Sequence, residues 1–305
     1  MNDTSVDAQI QTSEYQFEPC FEINDGEASS GSKAGFNGLL QDAPGCGTSV
    51  VNGLSQQLIH QMNLIVPDAL VSFDDLNVEL EDAAFPYLQP SAKLGLQKAI
   101  QERGIAMHIN SAYRTIAQQL LLHRWGRSCG YSIVALPGRS NHQSGLALDI
   151  NDHLGWKPYL ESHGWQWFGS NDKPHFDFVG GGTKDIRGTA MLALQKLWNK
   201  NHPNEKISED SAYGNQTESA LNRAPALGFD KAPWDEKPRV LKLSRPFMEG
   251  SDVKRLQEVL KKAGIAVSVD WVFGPGTDKA VKEFQQQKGL EPDGIVGLKT
   301  LAQMA

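Results

Sequence analysis

Apolar and polar residues alternate in two short runs near the middle of the chain. Residues 146–150 read Leu-Ala-Leu-Asp-Ile and residues 175–178 read His-Phe-Asp-Phe, so large apolar side chains recur at every second position. Successive side chains of a strand point to opposite faces, and this period therefore predicts two strands that each bury an apolar face. Asp149 and His175 would lie on the faces opposite to those apolar side chains.

Helical periodicity precedes the two strands. Ala92, Leu96, Ala99 and Ile100 share one helical face, and Gly104 follows at a position that suits the end of a helix. The spacing therefore predicts an amphipathic helix with one buried face.

A second helix is predicted to begin after Arg114. Thr115 suits its N-cap, Gln118 completes a capping box, and residues 120–122 supply the apolar body. The strand-like run at residues 105–109 separates the two helices.

The last third of the chain contains an internal repeat. Residues 194–197 (Leu-Gln-Lys-Leu) resemble residues 256–259 (Leu-Gln-Glu-Val), and residues 210–221 resemble residues 270–281. Each copy predicts a helix, a turn with an aromatic residue followed by glycine, and a second helix capped by threonine. Residues 224–238 contain three prolines and predict a linker between the copies.

Composition narrows the classes of function. The chain has 305 residues, a net charge of −7 and 40% hydrophobic residues, which predicts a globular protein of about two domains. The negative charge argues against a general nucleic-acid binder, which needs a basic face. No apolar run reaches the ~18 residues of a membrane helix. Cys20, Cys46 and Cys129 form no CxxC motif, and their spacing leaves a Cys20–Cys46 disulfide open.

The strongest chemical signal comes from His142, Asp149 and His175. His142 and Asp149 stand seven positions apart with a glycine between them, and His175 lies on the later strand-like run. Two imidazoles and one carboxylate can bind one zinc ion and leave its fourth tetrahedral position to water, as in catalytic zinc sites. Zinc lowers the pKa of such a water, so a nucleophile for hydrolysis is available near neutral pH.

Two further charged residues suit roles in hydrolysis. Asp172 lies three residues before His175 and is a candidate general base, and later acid, beside the metal. Arg114, in the sequence Ser-Ala-Tyr-Arg, carries a permanent charge. It is a candidate to hold a substrate carboxylate or to stabilise a developing oxyanion.

The combined pattern resembles the LAS metallopeptidases. Residues 140–149 match Ser-x-His-x-x-Gly-x-Ala-x-Asp, with Ser-x-Tyr-Arg before them and acid-x-x-His after them. The resemblance covers about residues 94–179. Within this family the chain is similar to the zinc D-alanyl-D-alanine carboxypeptidases of the VanY type and to phage L-alanyl-D-glutamate endopeptidases. The resemblance implies an α+β fold in which helices flank a small antiparallel sheet.

The same resemblance implies roles residue by residue. The three candidate metal ligands would bind zinc, Asp172 would be the base, and Arg114 would contact the substrate or transition state. Supporting or substrate-binding positions are Ser140, Gln119 and Tyr113. VanY-type enzymes usually carry Glu-x-Trp-His where this chain has Asp-Lys-Pro-His, so the bond that is cleaved stays open. A non-catalytic zinc- and wall-binding protein on the same fold is the alternative function.

The C-terminal residues 239–305 resemble a small three-helix peptidoglycan-binding domain, on the basis of two glycine-bearing turns and Gln257. The predicted organisation starts with an acidic, loop-rich leader (1–54) and a zinc peptidase domain (55–183). A degenerate helical repeat with a linker (184–238) then leads to the wall-binding domain. The predicted function is zinc-dependent hydrolysis of stem peptides, as an endopeptidase or a D,D-carboxypeptidase anchored to the wall.

Peptidoglycan is the expected partner of this protein, which we expect to be a monomer without nucleic-acid binding or a membrane span. We expect it to act in the periplasm or cell wall. Residues 1–8 are polar and acidic and lack the basic and apolar segments of a secretory signal. Delivery by a phage holin or a dedicated secretion machine is therefore expected, as for an endolysin or a secreted effector.

Overall fold

The computed structural model describes residues 36–304 apart from residues 46, 132, 133, 236 and 237. Most of the predicted leader, together with Cys20 and Cys46, lies outside the described residues. Within the described part, no helix is long and apolar enough to cross a membrane.

The helices are α1 (Asn52–Ile65), α2 (Pro90–Arg103), α3 (Ile116–Trp125), α4 (His153–Ser162), α5 (Arg187–Asn201), α6 (Asn215–Asn222), α7 (Ser251–Lys262), α8 (Pro275–Gln287) and α9 (Leu298–Ala302). The strands are β1 (Val71–Ser72), β2 (Val78–Leu80), β3 (Tyr87–Leu88), β4 (Met107–Ser111), β5 (Ala147–Ile150), β6 (Trp165–Trp167), β7 (His175–Phe178), β8 (Met248–Glu249) and β9 (Val272–Phe273).

A five-stranded sheet is built from strands between residues 78 and 178, in the strand order β2-β4-β5-β7-β6. Three of its pairs are antiparallel, which confirms the predicted α+β class. The edge strand β2 differs, because it runs parallel to β4. A parallel pair needs a crossover connection, which α2 supplies between these two strands. The register of β4 shifts near its end and brings Ser111 opposite Asp149.

One face of the sheet is buried together with α2 and α4. The apolar face predicted for α2 lies in this core, and α2 ends at Gly104, whose φ of 73° is in the left-handed region that glycine adopts readily. Leu148 and Phe176 point into the same core. Because strand side chains alternate between faces, Asp149 and His175 project from the other side of the sheet.

A second core joins α1, α3, α5 and α6. Leu40 before α1, Ile116 of α3 and Leu197 of α5 are all buried in it. The first copy of the repeat therefore packs against the helix that follows the Ser-x-Tyr-Arg motif. The domain limits at residues 54 and 183 remain predictions, and a cut at residue 183 would divide this core.

The start of α3 has the predicted capping box. The Thr115 hydroxyl accepts a hydrogen bond from the Gln118 amide at 3.3 Å, and the Gln118 side chain accepts one from the Thr115 amide at 3.1 Å. The Thr115 hydroxyl also lies 2.8 Å from that of Ser55 on α1. These bonds fix the backbone directly after Arg114.

The C-terminal module, residues 239–304, has the three predicted helices, and α7 and α8 supply most of a third core. Three turns in the described part of the chain each have the same pattern of side-chain hydrogen bonds, and we call them the Gln–Asp–Thr turns. In each, a buried Gln amide donates to an Asp carboxylate and a Thr hydroxyl over 2.7–3.1 Å. The sets are Gln195 with Asp210 and Thr217, Gln257 with Asp270 and Thr277, and Gln285 with Asp293 and Thr300.

The prediction that these threonines cap their helices is wrong. The N-cap positions of α6, α8 and α9 are Gly214, Gly274 and Gly297, and each threonine lies within the first helical turn. The threonine hydroxyl donates instead to a carbonyl of the preceding turn, at 2.8–3.1 Å. Each of these turns is therefore stabilised by hydrogen bonds from its buried glutamine rather than by a threonine N-cap.

Gln56 of α1 links the C-terminal module to the rest of the fold. Its side-chain amide donates to the Phe247 carbonyl at 2.6 Å. Its carbonyl oxygen accepts from the Arg239 guanidinium at 2.6 Å and from the Glu249 amide at 2.9 Å. Arg239 also pairs with Asp252 at 2.8 Å. The module is thus docked through a polar contact on one side of α1.

Glu249 should make the stability of this contact depend on pH. Burial raises the pKa of Glu249 to about 7, although a hydrogen bond with Asn52 and the charge of Arg239 oppose the shift. A carboxyl group with a higher pKa in the folded than in the unfolded protein contributes full stability below the unfolded value. That contribution is lost as the pH rises through the folded value. Glu249→Gln should therefore raise the thermal unfolding midpoint more at pH 8 than at pH 4.5. Equal shifts at both pH values would contradict this.

Candidate metal centre and active site

Three side chains converge on the open side of the sheet. His142 lies on the 3-10 turn Asn141–Ser144, Asp149 on β5 and His175 on β7. Asp149 and His175 are direct partners in the β5–β7 register. Each of the three offers a ligand atom within 4.8 Å of the others. The residues predicted to bind one metal ion are therefore brought together by the fold.

The orientation of the His142 ring is fixed by the backbone of the Ser-x-Tyr-Arg segment. Nδ1 lies 2.7 Å from the Ala112 carbonyl, to which it donates in the Nδ1-protonated tautomer. Nε2 then faces the Asp149 carboxylate at 3.2 Å with its lone pair free for a metal. Ser111 adds a weaker contact to Nδ1 at 3.4 Å.

His175 is held between two carboxylates. Its Nδ1 lies 2.9 Å from Asp149, and its Nε2 lies 3.1 Å from Asp177. Asn141 donates to the same Asp177 oxygen at 3.0 Å and so holds that carboxylate in place. Phe168 packs edge-on to the His175 ring with centroids 5.4 Å apart. A carboxylate on the far nitrogen of a histidine is the usual support of a metal-binding imidazole.

The charges of these groups fit a bound cation. Burial lowers the pKa of His142, which favours the neutral imidazole that metals bind. Burial alone would raise the pKa of Asp149, but the two histidines and Arg114 bring it below its usual range. Burial would also lower the pKa of His175, yet its hydrogen bonds to Asp149 and Asp177 raise it to about 10. Without a metal, His175 therefore carries a proton at neutral pH, and metal binding would release it. Once both imidazoles are neutral, they and the ionised carboxylate are a donor set that suits zinc.

Arg114 borders the site and is held by three groups. It donates to Ser111 at 3.0 Å and to Gln119 at 3.3 Å, and it lies 3.4 Å from Asp149. Gln119 donates in turn to the Ala135 carbonyl at 2.7 Å. Gln119 therefore links the guanidinium to the loop that follows α3.

Asp172 lies at the edge of the site, on the turn before β7. Its carbonyl accepts from the His175 amide at 3.1 Å, which ties the turn to the strand. Partial burial raises the pKa of the Asp172 carboxyl, and the negative charge of Asp149 adds to this. The residue stays accessible to solvent. A raised pKa and an accessible carboxyl suit a group that transfers protons.

Two of the predicted supporting residues, Tyr113 and Ser140, are buried. Tyr113 is buried in the second core, where its hydroxyl donates to the Met62 sulfur at 2.9 Å. Ser140 is buried beside the 3-10 turn and accepts the Gln143 amide with its carbonyl at 3.1 Å. Cys129 is disulfide-bonded, so it offers no thiol nucleophile.

Because its hydroxyl points into the core, Tyr113→Phe should leave metal content and turnover unchanged. Losing one buried hydrogen bond should lower the free energy of unfolding by about 1 kcal/mol. Chemical denaturation and a kinetic assay of the same preparation would measure both quantities. A large fall in turnover at unchanged stability would show that Tyr113 acts in the active site.

Sequence reasoning missed the contacts that orient the ligands. Ser111 and the Ala112 carbonyl touch His142, and they lie within a motif that was singled out for its tyrosine and arginine. Asp177 lies two positions after His175 on β7, so the period-two alternation of strand side chains places both on one face. The contact of the Ala112 carbonyl could not be predicted from the sequence, because every residue has a backbone carbonyl.

Two family models match parts of this chain. Residues 88–181 match the family model described as D-alanyl-D-alanine carboxypeptidase, and residues 249–304 match the model described as putative peptidoglycan binding domain. The predicted resemblance to VanY-type enzymes with a C-terminal wall-binding domain is thereby confirmed. The chain carries these two domains in the predicted order.

Two curated proteins of Bacillus licheniformis are also similar to the chain. One, a probable N-acetylmuramoyl-L-alanine amidase, is 36% identical over 123 residues, which cover 38% of this chain and 33% of the relative. The other, N-acetylmuramoyl-L-alanine amidase CwlL, is 32% identical over 128 residues, 38% of this chain and 34% of the relative. The chain therefore spans about a third of the length of these curated relatives.

Proposed function

We propose that the chain is a zinc-dependent peptidase that hydrolyses a peptide bond in the stem peptides of peptidoglycan. One observation carries the proposal. His142, Asp149 and His175 converge within 4.8 Å beside the raised-pKa carboxyl of Asp172 and the guanidinium of Arg114. The match of residues 88–181 to a D-alanyl-D-alanine carboxypeptidase model supports the same chemistry.

Each group then has a distinct task. Zinc, when bound, supplies the Lewis acid that activates water and the scissile carbonyl. Asp172 accepts a proton from the attacking water and returns it to the leaving amine. Arg114 stabilises negative charge on the substrate, either a carboxylate or the developing oxyanion. Asp177 keeps the His175 ring oriented.

Two bonds are candidates for cleavage. The family match favours the bond before the terminal D-Ala of the stem, which would make the enzyme a D,D-carboxypeptidase. The sequence Trp165-Gln166-Trp167-Phe168 resembles the phage L-alanyl-D-glutamate endopeptidases and favours a cut inside the stem, between L-Ala and D-Glu. The presence of all three ligands with Asp172 argues against a retired, non-catalytic protein.

Zinc content and hydrolysis can be tested together. The purified protein should contain about one zinc per chain and should release new peptide ends from synthetic stem pentapeptide. A chelator should remove both the metal and the activity, and added zinc should restore them. Activity that persists after the metal has been removed would exclude the proposal.

We further propose that the C-terminal module anchors the enzyme to the cell wall. The match of residues 249–304 to a peptidoglycan binding domain supports this. Peptidoglycan lies outside the cytoplasmic membrane, so the enzyme would act at the wall.

Deletion from residue 239 onward should separate anchoring from catalysis. The truncation keeps α5 and α6, which contribute to the second core. It should hydrolyse soluble stem peptides at the full rate and act more slowly on insoluble sacculi, because tethering raises the effective substrate concentration. Equal rates of full-length and truncated protein on sacculi would assign the module another role.

A further inference from the structure

The three Gln–Asp–Thr turns share a backbone feature as well as a hydrogen-bond network. The residue after the aspartate has a positive φ in each: 62° at Ser211, 70° at Trp271 and 76° at Gly294. This region is readily adopted by glycine and disfavoured for side chains with a Cβ, most of all for bulky ones. Among the described residues, Trp271 is the one aromatic residue with a positive φ.

Packing does not account for a tryptophan at this position. The core of the module is built from residues such as Val253, Phe273 and Phe284, and it does not include Trp271. The indole is partly exposed, and the Lys254 ammonium lies 4.9 Å from its ring centroid. The turn also forms at Ser211 and Gly294 without an aromatic side chain. A bulky residue held in an unfavourable conformation at the surface points to a binding role.

We propose that Trp271, assisted by Lys254, is the contact through which the C-terminal module holds the glycan strand of peptidoglycan. This inference rests on the proposed anchoring function. The indole offers a flat, polarisable face to the apolar face of a pyranose ring. Lys254, on the adjacent α7, offers a charged donor to the polar groups of the same sugar unit.

The repeat supplies matched test variants, because Trp271→Gly and Trp271→Ser install the residues found at the equivalent positions. Binding is measured with full-length protein carrying Asp172→Asn, so that the wall polymer stays intact. The probes are purified sacculi and sacculi stripped of their stem peptides.

Both Trp271→Gly and Trp271→Ser should weaken binding to both probes about tenfold, as expected for loss of an aromatic anchor. Trp271→Gly should also raise the unfolding midpoint, because glycine relieves the unfavourable φ, and Trp271→Ser should leave the midpoint about unchanged. Trp271→Phe should retain most of the binding.

The other outcomes overturn the assignment in distinguishable ways. Unchanged binding with a lower unfolding midpoint would make Trp271 a structural residue. Weaker binding to intact sacculi alone would mean that Trp271 contacts the stem peptide rather than the sugar. If the parent protein bound neither probe, the anchoring function itself would fail and this inference with it.

Discussion

Asp172→Asn should lower turnover about 10²–10⁴-fold and leave the zinc content unchanged, because the proposed role of this side chain is to transfer protons without binding the metal. Asparagine keeps the size of the side chain and removes its basicity. Steady-state kinetics on a stem peptide, paired with elemental analysis of the same preparation, would measure both effects.

Asn171→Ala is the matched control for this substitution. Asn171 precedes Asp172 on the same exposed turn, and its replacement should leave kcat within about twofold of the parent, as for most surface changes. If Asp172→Asn kept full activity, the base would lie elsewhere. If it lost the metal as well, Asp172 would be a ligand and the proposed division of roles would be wrong.

His142→Ala should abolish zinc binding at concentrations where the parent protein is saturated. The substitution removes one of three ligands, and its ring is buried with Nε2 directed at Asp149. Asp177→Asn should have a smaller effect, because Asp177 supports His175 without lying in the ligand triad. Losses of about 10–100-fold in affinity are typical for such supporting carboxylates. Competition with a chromophoric chelator would rank the two variants against the parent.

The order of these affinities is the informative result. A parent-like affinity for His142→Ala would remove that residue from the metal centre. An affinity of Asp177→Asn as low as that of His142→Ala would make Asp177 itself a ligand. Circular dichroism of both variants would establish that the fold is intact.

Local patterns predicted much of the fold because they are governed by short-range rules. The alternation around Asp149 and His175 predicted their common side of the sheet, and the β5–β7 register then makes them direct neighbours. The capping box at Thr115 depends on residues three apart and forms as predicted.

The features that the sequence did not predict depend on contacts between distant segments. The parallel pairing of β2 with β4 follows from how α2 crosses the sheet, which no local period encodes. Tyr113 sits in a motif beside the site, yet a shift in strand register precedes it and its ring enters the second core. The glycine caps were misassigned because the threonines that seemed to cap the helices bind glutamines 15–22 positions away.

Mass spectrometry of the muropeptides released from purified sacculi tests the central claim most directly. The zinc-loaded protein should produce fragments cut within the stem or shortened by the terminal D-Ala, and chelated protein should produce neither. The relatives named N-acetylmuramoyl-L-alanine amidases suggest the contrasting result. Intact stem peptides freed from the sugar, with no cut inside the stem or before its last residue, would contradict a stem-peptide peptidase.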